Sequence, residues 1–150
     1  MKKILMTAIT TSISEVMETM FFLPVQIGSE IVFEESGFEK KKAIACQLTF
    51  SGDTSGKLII AAPFDLAAEM AENFMGEEKA QLTQEHLTGT LAEMLNMVCG
   101  NALSRVKPKV PYELGIPEVI SLSDIKEKIK YTLIETIDYR LLISLVVDRA

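Results

Sequence analysis

The chain has 150 residues, of which 48% are hydrophobic, so we expect one domain with a sizeable core and not a disordered segment. Its formal net charge is −6 and its one short lysine run, residues 40–42, follows an acidic residue, which argues against nucleic-acid binding. The two cysteines, Cys46 and Cys99, lack a Cys-x-x-Cys or Cys/His context, so we expect reduced, buried thiols in a cytoplasmic protein.

A first helix is predicted from about residue 6 to residue 22, bounded by Pro24. Its expected core stripe consists of apolar residues at helical spacing, namely Ile9, Ile13, Met17 and Met20. Threonines and serines interrupt the apolar run near the start, so we expect no signal peptide. No stretch reaches the length of a membrane span, and we expect no association with a membrane.

After Pro24 the pattern changes to alternation, and three strands are predicted over residues 25–33, 43–50 and 57–61. Pro63 then opens a short helix that ends at Gly76. The residues expected to face inward from this helix are Leu66, Met70 and Phe74.

A second long helix is predicted to begin after Thr83, its N-cap, and to be terminated by Pro108 and Pro111. The third residue after the cap is His86 and not an acidic residue, so no capping box is expected, and His86 is interpreted as solvated or capping. Three further strands are predicted over residues 119–122, 128–136 and 139–147, the last two as a hairpin.

Glu93 and Asn96 stand one turn apart in the second long helix and project from one face. The apolar residues gather on the opposite side, and they are Leu87, Leu91, Leu95, Val98 and Ala102. Gly89 and Gly100 share the polar face, although a glycine inside a helix costs about 1 kcal/mol relative to alanine. This combination indicates a polar site that another molecule can approach closely, while spacing alone leaves an ordinary solvated face as the alternative.

Residues 11–20 align with residues 89–98 and suggest an internal repeat, although two amphipathic helices can also match by chance. Glu15 matches Glu93. Three matching positions differ: where the second helix has Gly89, Asn96 and Gly100, the first has Thr11, Glu18 and Phe22. We therefore expect an aromatic ring to block the corresponding face of the first helix and only the second helix to carry an open site.

Glu93-x-x-Asn96, followed by Gly100, by Ile-Pro-Glu-Val-Ile at residues 116–120 and by a strand hairpin, resembles the CheC/CheX/FliY family of chemotaxis phosphatases. This chain has a single such motif, and its first helix lacks the asparagine; in this respect it resembles the CheX branch of the family. The resemblance implies an α+β fold, a pseudo-symmetric helix-plus-strands repeat whose long helices pack on one face of an antiparallel sheet. It further implies one CheX-like domain over residues 1–150 and a homodimer.

The activity that the resemblance implies is hydrolysis of the aspartyl phosphate of a CheY-like response regulator, in chemotaxis or related two-component signalling. Glu93 and Asn96 take the catalytic roles, pairing with a partner lysine and orienting the attacking water, while Gly89 and Gly100 take partner-binding roles. No cofactor or metal of its own is expected, and Mg²⁺ is expected from the partner. The alternatives are a non-catalytic CheX-like module that docks a signalling partner or dimerises, and a flagellar switch component.

Overall fold

The computed structural model describes residues 2–106, 109–124 and 129–148. Three α-helices lie in these ranges: α1 (Lys2–Phe21), α2 (Phe64–Met75) and α3 (Gln84–Arg105). Seven strands accompany them: β1 (Gln26–Val32), β2 (Ala43–Ser51), β3 (Gly56–Pro63), β4 (Glu113–Leu114), β5 (Glu118–Ile120), β6 (Lys130–Glu135) and β7 (Arg140–Val147). None of the described helices is both long and apolar enough to cross a membrane.

The strands form one antiparallel sheet in the order β1-β6-β7-β3-β2-β4, and β5 also pairs with β2. The central pair, β3 and β7, joins the first half of the chain to the second. Each half keeps its own hairpin beside this centre and lends its first strand to the other half, so that β1 lies beside β6 and β5 beside β2. The sheet is therefore pseudo-symmetric, as the resemblance implies.

All three helices pack on one face of this sheet and enclose the main core. The sheet contributes alternate residues to that core, including Ile44, Cys46, Leu48, Leu58, Ile60, Ile143 and Leu145. A smaller cluster around Ile59, Leu142 and Tyr131 lies on the opposite face, where Phe33 and Phe38 cover it. Because both faces are covered, the middle of β3 is continuously apolar and buried, as central strands usually are.

The end of α1 differs from the prediction. Its buried face is a row at i, i+4 spacing that consists of Leu5, Ile9, Ile13, Met17 and Phe21. Phe21 takes the last place in this row, and the prediction of Met20 as a core residue is wrong, since Met20 is 39% exposed. Phe22 is not part of the helix either. It follows the last helical residue with a left-handed backbone (φ 57°) and is 67% exposed, so its predicted place on the helix face is wrong.

The short helix α2 ends at Gly76, whose φ of 71° is the left-handed conformation that glycine adopts readily. Leu66 and Met70 are buried as predicted. Phe74 is 39% exposed and lies at the margin of the core, with its ring 5.3 Å from that of Phe21. Phe74 therefore faces the core, as predicted, but is not buried in it, because the core ends before the last turn of the helix does.

The described residues after α3 contain four strands where three were predicted, because Glu113–Leu114 adds a two-residue pairing with β2. The final hairpin is present, with β6 beginning at Lys130. Residue 128, the predicted start of that strand, lies outside the described residues. Pro108, one of the two predicted terminators of the second long helix, also lies outside them, and α3 ends at Arg105.

Candidate functional site

The N-terminus of α3 is fixed by a reciprocal pair of hydrogen bonds. The Thr83 Oγ1 atom accepts from the backbone N–H of His86 at 3.2 Å, and the Nδ1 atom of His86 accepts from the backbone N–H of Thr83 at 3.0 Å. This is a capping box in which an imidazole nitrogen replaces the usual carboxylate or amide oxygen. The prediction that the box is absent is wrong, whereas the capping interpretation of His86 is confirmed.

The apolar face of α3 packs against the rest of the core. Leu91, Leu95, Val98 and Ala102 are buried as predicted, and Leu87 is half-buried at the margin. Glu93 and Asn96 project from the opposite side and are exposed. Within the described residues, neither side chain forms a hydrogen bond or an ion pair with another part of the chain. Their hydrogen-bonding groups are therefore available to another molecule.

The fold itself does not require the two glycines on this face. A Cβ atom built on Gly89 meets no heavy atom within 4 Å, and one built on Gly100 meets only the Cδ1 atom of Leu114, at an ordinary 3.8 Å. Neither glycine has a positive φ that would exclude a side chain. Since each glycine weakens the helix and no internal contact explains it, their effect is to leave the helix surface open beside Glu93 and Asn96.

The corresponding carboxylate on α1 has a different environment. The Glu15 carboxylate pairs with the guanidinium of Arg105 on α3. Arg105 Nε also donates to the Oδ1 atom of Asn101 at 2.8 Å, and the buried Ser12 hydroxyl donates to the same oxygen at 2.8 Å. The polar side of α1 at this position therefore takes part in helix packing, whereas Glu93 on α3 stays free of partners among the described residues.

A segment that sequence reasoning missed lies beside Gly100, and we call residues 109–116 the strap. Its start is held by Asp53, whose carboxylate accepts from the backbone N–H groups of Lys109 and Val110 at 2.7 and 3.1 Å. Its middle is held by Tyr112, whose ring covers Gly52 so closely that a Cβ atom there would stand 2.7 Å from Cδ1.

The end of the strap joins the sheet. Leu114 pairs with Phe50 in β2, and the backbone N–H of Gly115 donates to the carbonyl oxygen of Thr49 at 2.8 Å. The sequence marks the Gly52-Asp53 pair only as a turn, and nothing local in it reveals that it holds a segment more than fifty residues away. The strap is thus a fixed part of the surface beside α3.

An apolar cleft of about 260 Å³ separates the strap from α3. Its lining residues are Gly100, Leu103, Ser104, Pro111, Tyr112 and Leu114. Gly100 therefore belongs both to this cleft and to the polar face of α3. Glu93 and Asn96 themselves line neither this cleft nor the larger depressions of about 420 to 740 Å³ elsewhere on the described surface. An open face of this kind suits contact with a second macromolecule better than enclosure of a small molecule.

The polar face carries too few acidic groups to hold a cation by itself. Over residues 2–106, 109–124 and 129–148, no cluster of three or more histidine, cysteine, aspartate or glutamate side chains could hold a metal ion. Glu93 is the only carboxylate between the two glycines of the face. The described residues therefore do not fit a metal held by this face of the chain.

Comparison with known proteins gives a consistent result. The family model described as chemotaxis phosphatase CheX matches residues 44–135. The CheX protein of Vibrio vulnificus superposes with a TM-score of 0.78 at 20% identity, covering 96% of this chain and 99% of that one. CheX from Borrelia burgdorferi, solved in a CheX–CheY–BeF3–Mg²⁺ complex, gives 0.76 at 15% identity, covering 96% and 97%.

A CheC-like superfamily protein from a Shewanella species, strain PV-4, also has this fold. It gives a TM-score of 0.76 at 20% identity and covers 99% of this chain and 100% of that one. Comparison with curated protein sequences gives no match. The solved structures therefore establish the fold, and the family model establishes the family.

Proposed function

Because this chain belongs to the CheX family of chemotaxis phosphatases, we propose that it hydrolyses the aspartyl phosphate of a CheY-like response regulator. The observation that carries this proposal is the pair Glu93 and Asn96, exposed on a glycine-bordered helix face and free of partners among the described residues. The B. burgdorferi relative was solved in a complex with CheY, which supports a response regulator as the partner. In this proposal the phosphoryl group and the rest of the active site belong to that partner.

Asn96 has the role of positioning the attacking water. Its carboxamide offers an acceptor and two donors and does not titrate, so it can hold a water molecule in one orientation over a wide pH range. An acyl phosphate is already activated, and its hydrolysis depends mainly on placing water in line with the phosphorus–oxygen bond that breaks. The absence of competing hydrogen bonds to Asn96 from other described residues is consistent with this role.

Glu93 has the role of fixing the register between the two proteins. Its carboxylate lies one turn from Asn96, where it can accept a charge-assisted hydrogen bond from a lysine beside the partner's phosphoryl group. Such bonds contribute about 1.5–3 kcal/mol, which is a substantial part of the binding free energy of a transient complex between two proteins. Mg²⁺ in the partner's own acidic pocket would neutralise the charge that develops during phosphoryl transfer.

The test is the rate of phosphate release from a phosphorylated CheY-like receiver domain. We expect Asn96→Ala to lower kcat roughly a hundredfold with little change in KM, because it displaces the attacking water. We expect Glu93→Ala to raise KM about tenfold or more, because it removes a charge-assisted contact. The matched control is Glu18→Ala, which removes the exposed carboxylate at the position of α1 that corresponds to Asn96, and it should behave as wild type.

Two outcomes would contradict the proposal. If Asn96→Ala and Glu93→Ala both kept wild-type rates, the site would be assigned to the wrong residues. If the wild-type protein bound the receiver domain without accelerating its dephosphorylation, the protein would be a non-catalytic docking module.

A further inference from the structure

The strap adds a second, apolar surface next to the polar face of α3. Val110 and Ile116 are 56% and 84% exposed, and Leu114, which lines the cleft, is 39% exposed. Leu114 also lies against Gly100, one turn beyond Asn96 on the same face. The polar face, Gly100, the cleft and the strap therefore form one continuous surface.

The size of the cleft restricts what it can accept. Pockets for small-molecule ligands usually measure about 300 to 1,000 Å³, and this cleft, at about 260 Å³ and open to one side, lies below that range. A single apolar side chain of another protein suits it better. Interfaces commonly gain most of their affinity from a few such anchors in small pockets, while polar contacts that stay in water at the rim contribute little.

The way in which the strap is held also suits binding. Asp53 fixes two backbone N–H groups at its start, Tyr112 packs against Gly52 and Phe50 in its middle, and β4 pairs with β2 at its end. A surface that is ordered before the partner arrives loses less conformational entropy on association. None of these contacts orders Glu93 or Asn96 directly, so the strap can act on affinity without acting on the chemical step.

We propose that the strap and its cleft form the apolar half of the response-regulator docking surface, with one apolar side chain of the regulator entering the cleft beside Gly100. This inference rests on the proposed function for the identity of the partner. It assigns affinity to the strap and cleft, and it leaves the chemical step to Asn96.

The experiment measures the Kd for a CheY-like receiver domain loaded with BeF3 and Mg²⁺, together with KM and kcat for phosphate release. Leu114→Ser removes an apolar wall of the cleft, Ser104→Leu fills the cleft from an exposed helix position, and Asp53→Ala releases the start of the strap. Each should raise Kd and KM about fivefold or more, as loss of an interface anchor does, with kcat unchanged. Ile137→Ser, at an equally apolar and 92% exposed position on the hairpin turn, is the matched control and should match wild type.

Several results would overturn this inference. One is a wild-type Kd for folded Ser104→Leu and Asp53→Ala. Another is a fall in the kcat of the strap and cleft variants with their KM unchanged. Thermal unfolding identifies a variant that fails to fold. Ser104 is exposed, so Ser104→Leu should fold normally, and its Kd then tests the cleft directly. If the wild-type protein bound the receiver domain without turnover, the proposed function would fail, while the Kd series would still test the docking surface. If it bound no receiver domain, both would fail.

Discussion

Gly89 and Gly100 define the polar face of α3 more sharply than Glu93 and Asn96 do. Exposed glutamate and asparagine are ordinary on a helix surface, but two glycines in the middle of a helix are unfavourable. The structure shows room for a side chain at both positions, so packing does not explain them. Open space around the helix backbone is the property that they add, and it matters only if another molecule comes close.

A larger side chain at Gly89 should therefore change stability and partner binding in opposite directions. We expect Gly89→Leu to raise the free energy of unfolding by somewhat less than the roughly 0.8–1 kcal/mol that separates alanine from glycine, because leucine is a far better helix former than glycine. The same variant should weaken receiver-domain binding if the proposed function holds, since the new side chain stands one turn before Glu93 on the polar face of α3. Urea unfolding measures the first effect, and the Kd or KM for the receiver domain measures the second.

Gly89→Ala is the matched control for this comparison. It should stabilise the protein by a similar amount, yet project only a methyl group and disturb binding less. Unchanged Kd and KM for Gly89→Leu would show that the partner does not approach the helix at Gly89, and the partner-binding role of this residue would be wrong.

On the scale of the element, α3 is stabilised at its first turn. The Thr83–His86 capping box satisfies backbone N–H groups that would otherwise lack an intrahelical partner. We expect Thr83→Ala to lower the free energy of unfolding by about 1 kcal/mol, the usual effect of losing an N-cap side chain. Because the two bonds are reciprocal, Thr83→Ala and His86→Ala should be non-additive in a double-mutant cycle followed by urea unfolding.

Thr88→Ala provides the control for the cap. Thr88 lies inside the helix, where its hydroxyl donates only to the carbonyl oxygen of Glu85, so alanine should be neutral or slightly stabilising there. Equal effects of Thr83→Ala and Thr88→Ala would contradict a specific capping role, because they would point to a general helix-propensity effect.

What the sequence predicted, and what it missed, follows from the range of the interactions. The two faces of α3 were predicted because apolar spacing is a local signal that persists over several turns. Met20 and Phe74 are more exposed than predicted because each lies in the last turn of its helix, where tertiary contacts determine which residues remain covered. The local sequence pattern does not predict which residues at a helix end are covered by a neighbouring element.

The strap shows the same limit more strongly. Its strand, β4, has only two residues, and its anchor Asp53 follows β2, far away in the chain. The cleft beside Gly100 therefore depends on contacts of large sequence separation, which a single sequence does not reveal. The shared, exposed face of Glu93 and Asn96 could be predicted because both lie on one regular helix, whereas the surface beside them depends on the fold.

On the scale of the whole molecule, the two pseudo-symmetric halves have diverged in the use of their long helices. The Glu15 position of α1 is joined to α3 through Arg105, and the Ser12–Asn101 hydrogen bond lies in the same contact. The matching face of α3 points away from such contacts and stays open. The first helix thus packs against the second through this side, whereas the Glu93 face of α3 is free of such contacts among the described residues.

Three buried groups, two thiols in the main core and a tyrosine on the opposite face of the sheet, predict how the protein responds to alkaline pH. Burial raises the pKa of the Cys46 thiol from 9.0 to about 11 and that of Cys99 to about 12. Burial, with a smaller contribution from the Glu34 carboxylate, raises the pKa of Tyr131 from 10.0 to about 12. In all three the folded state favours the neutral, protonated form, so their contribution to stability is complete below pH 9.0 and is lost as the pH rises toward 12.

We therefore expect the urea midpoint to stay nearly constant up to the ordinary thiol pKa of 9.0 and then to fall progressively toward pH 12. A Cys46→Ala, Cys99→Ala double variant should lose less stability over this interval, since only Tyr131 remains of the three groups.

Because thiolates are the reactive form, neither cysteine of the native protein should react with a thiol-specific disulfide reagent at about pH 8, and both should react once urea unfolds it. Two results would show that these thiols are not buried in the core. One is rapid labelling of the native protein, and the other is a double variant whose urea midpoint falls with pH as steeply as that of the wild type.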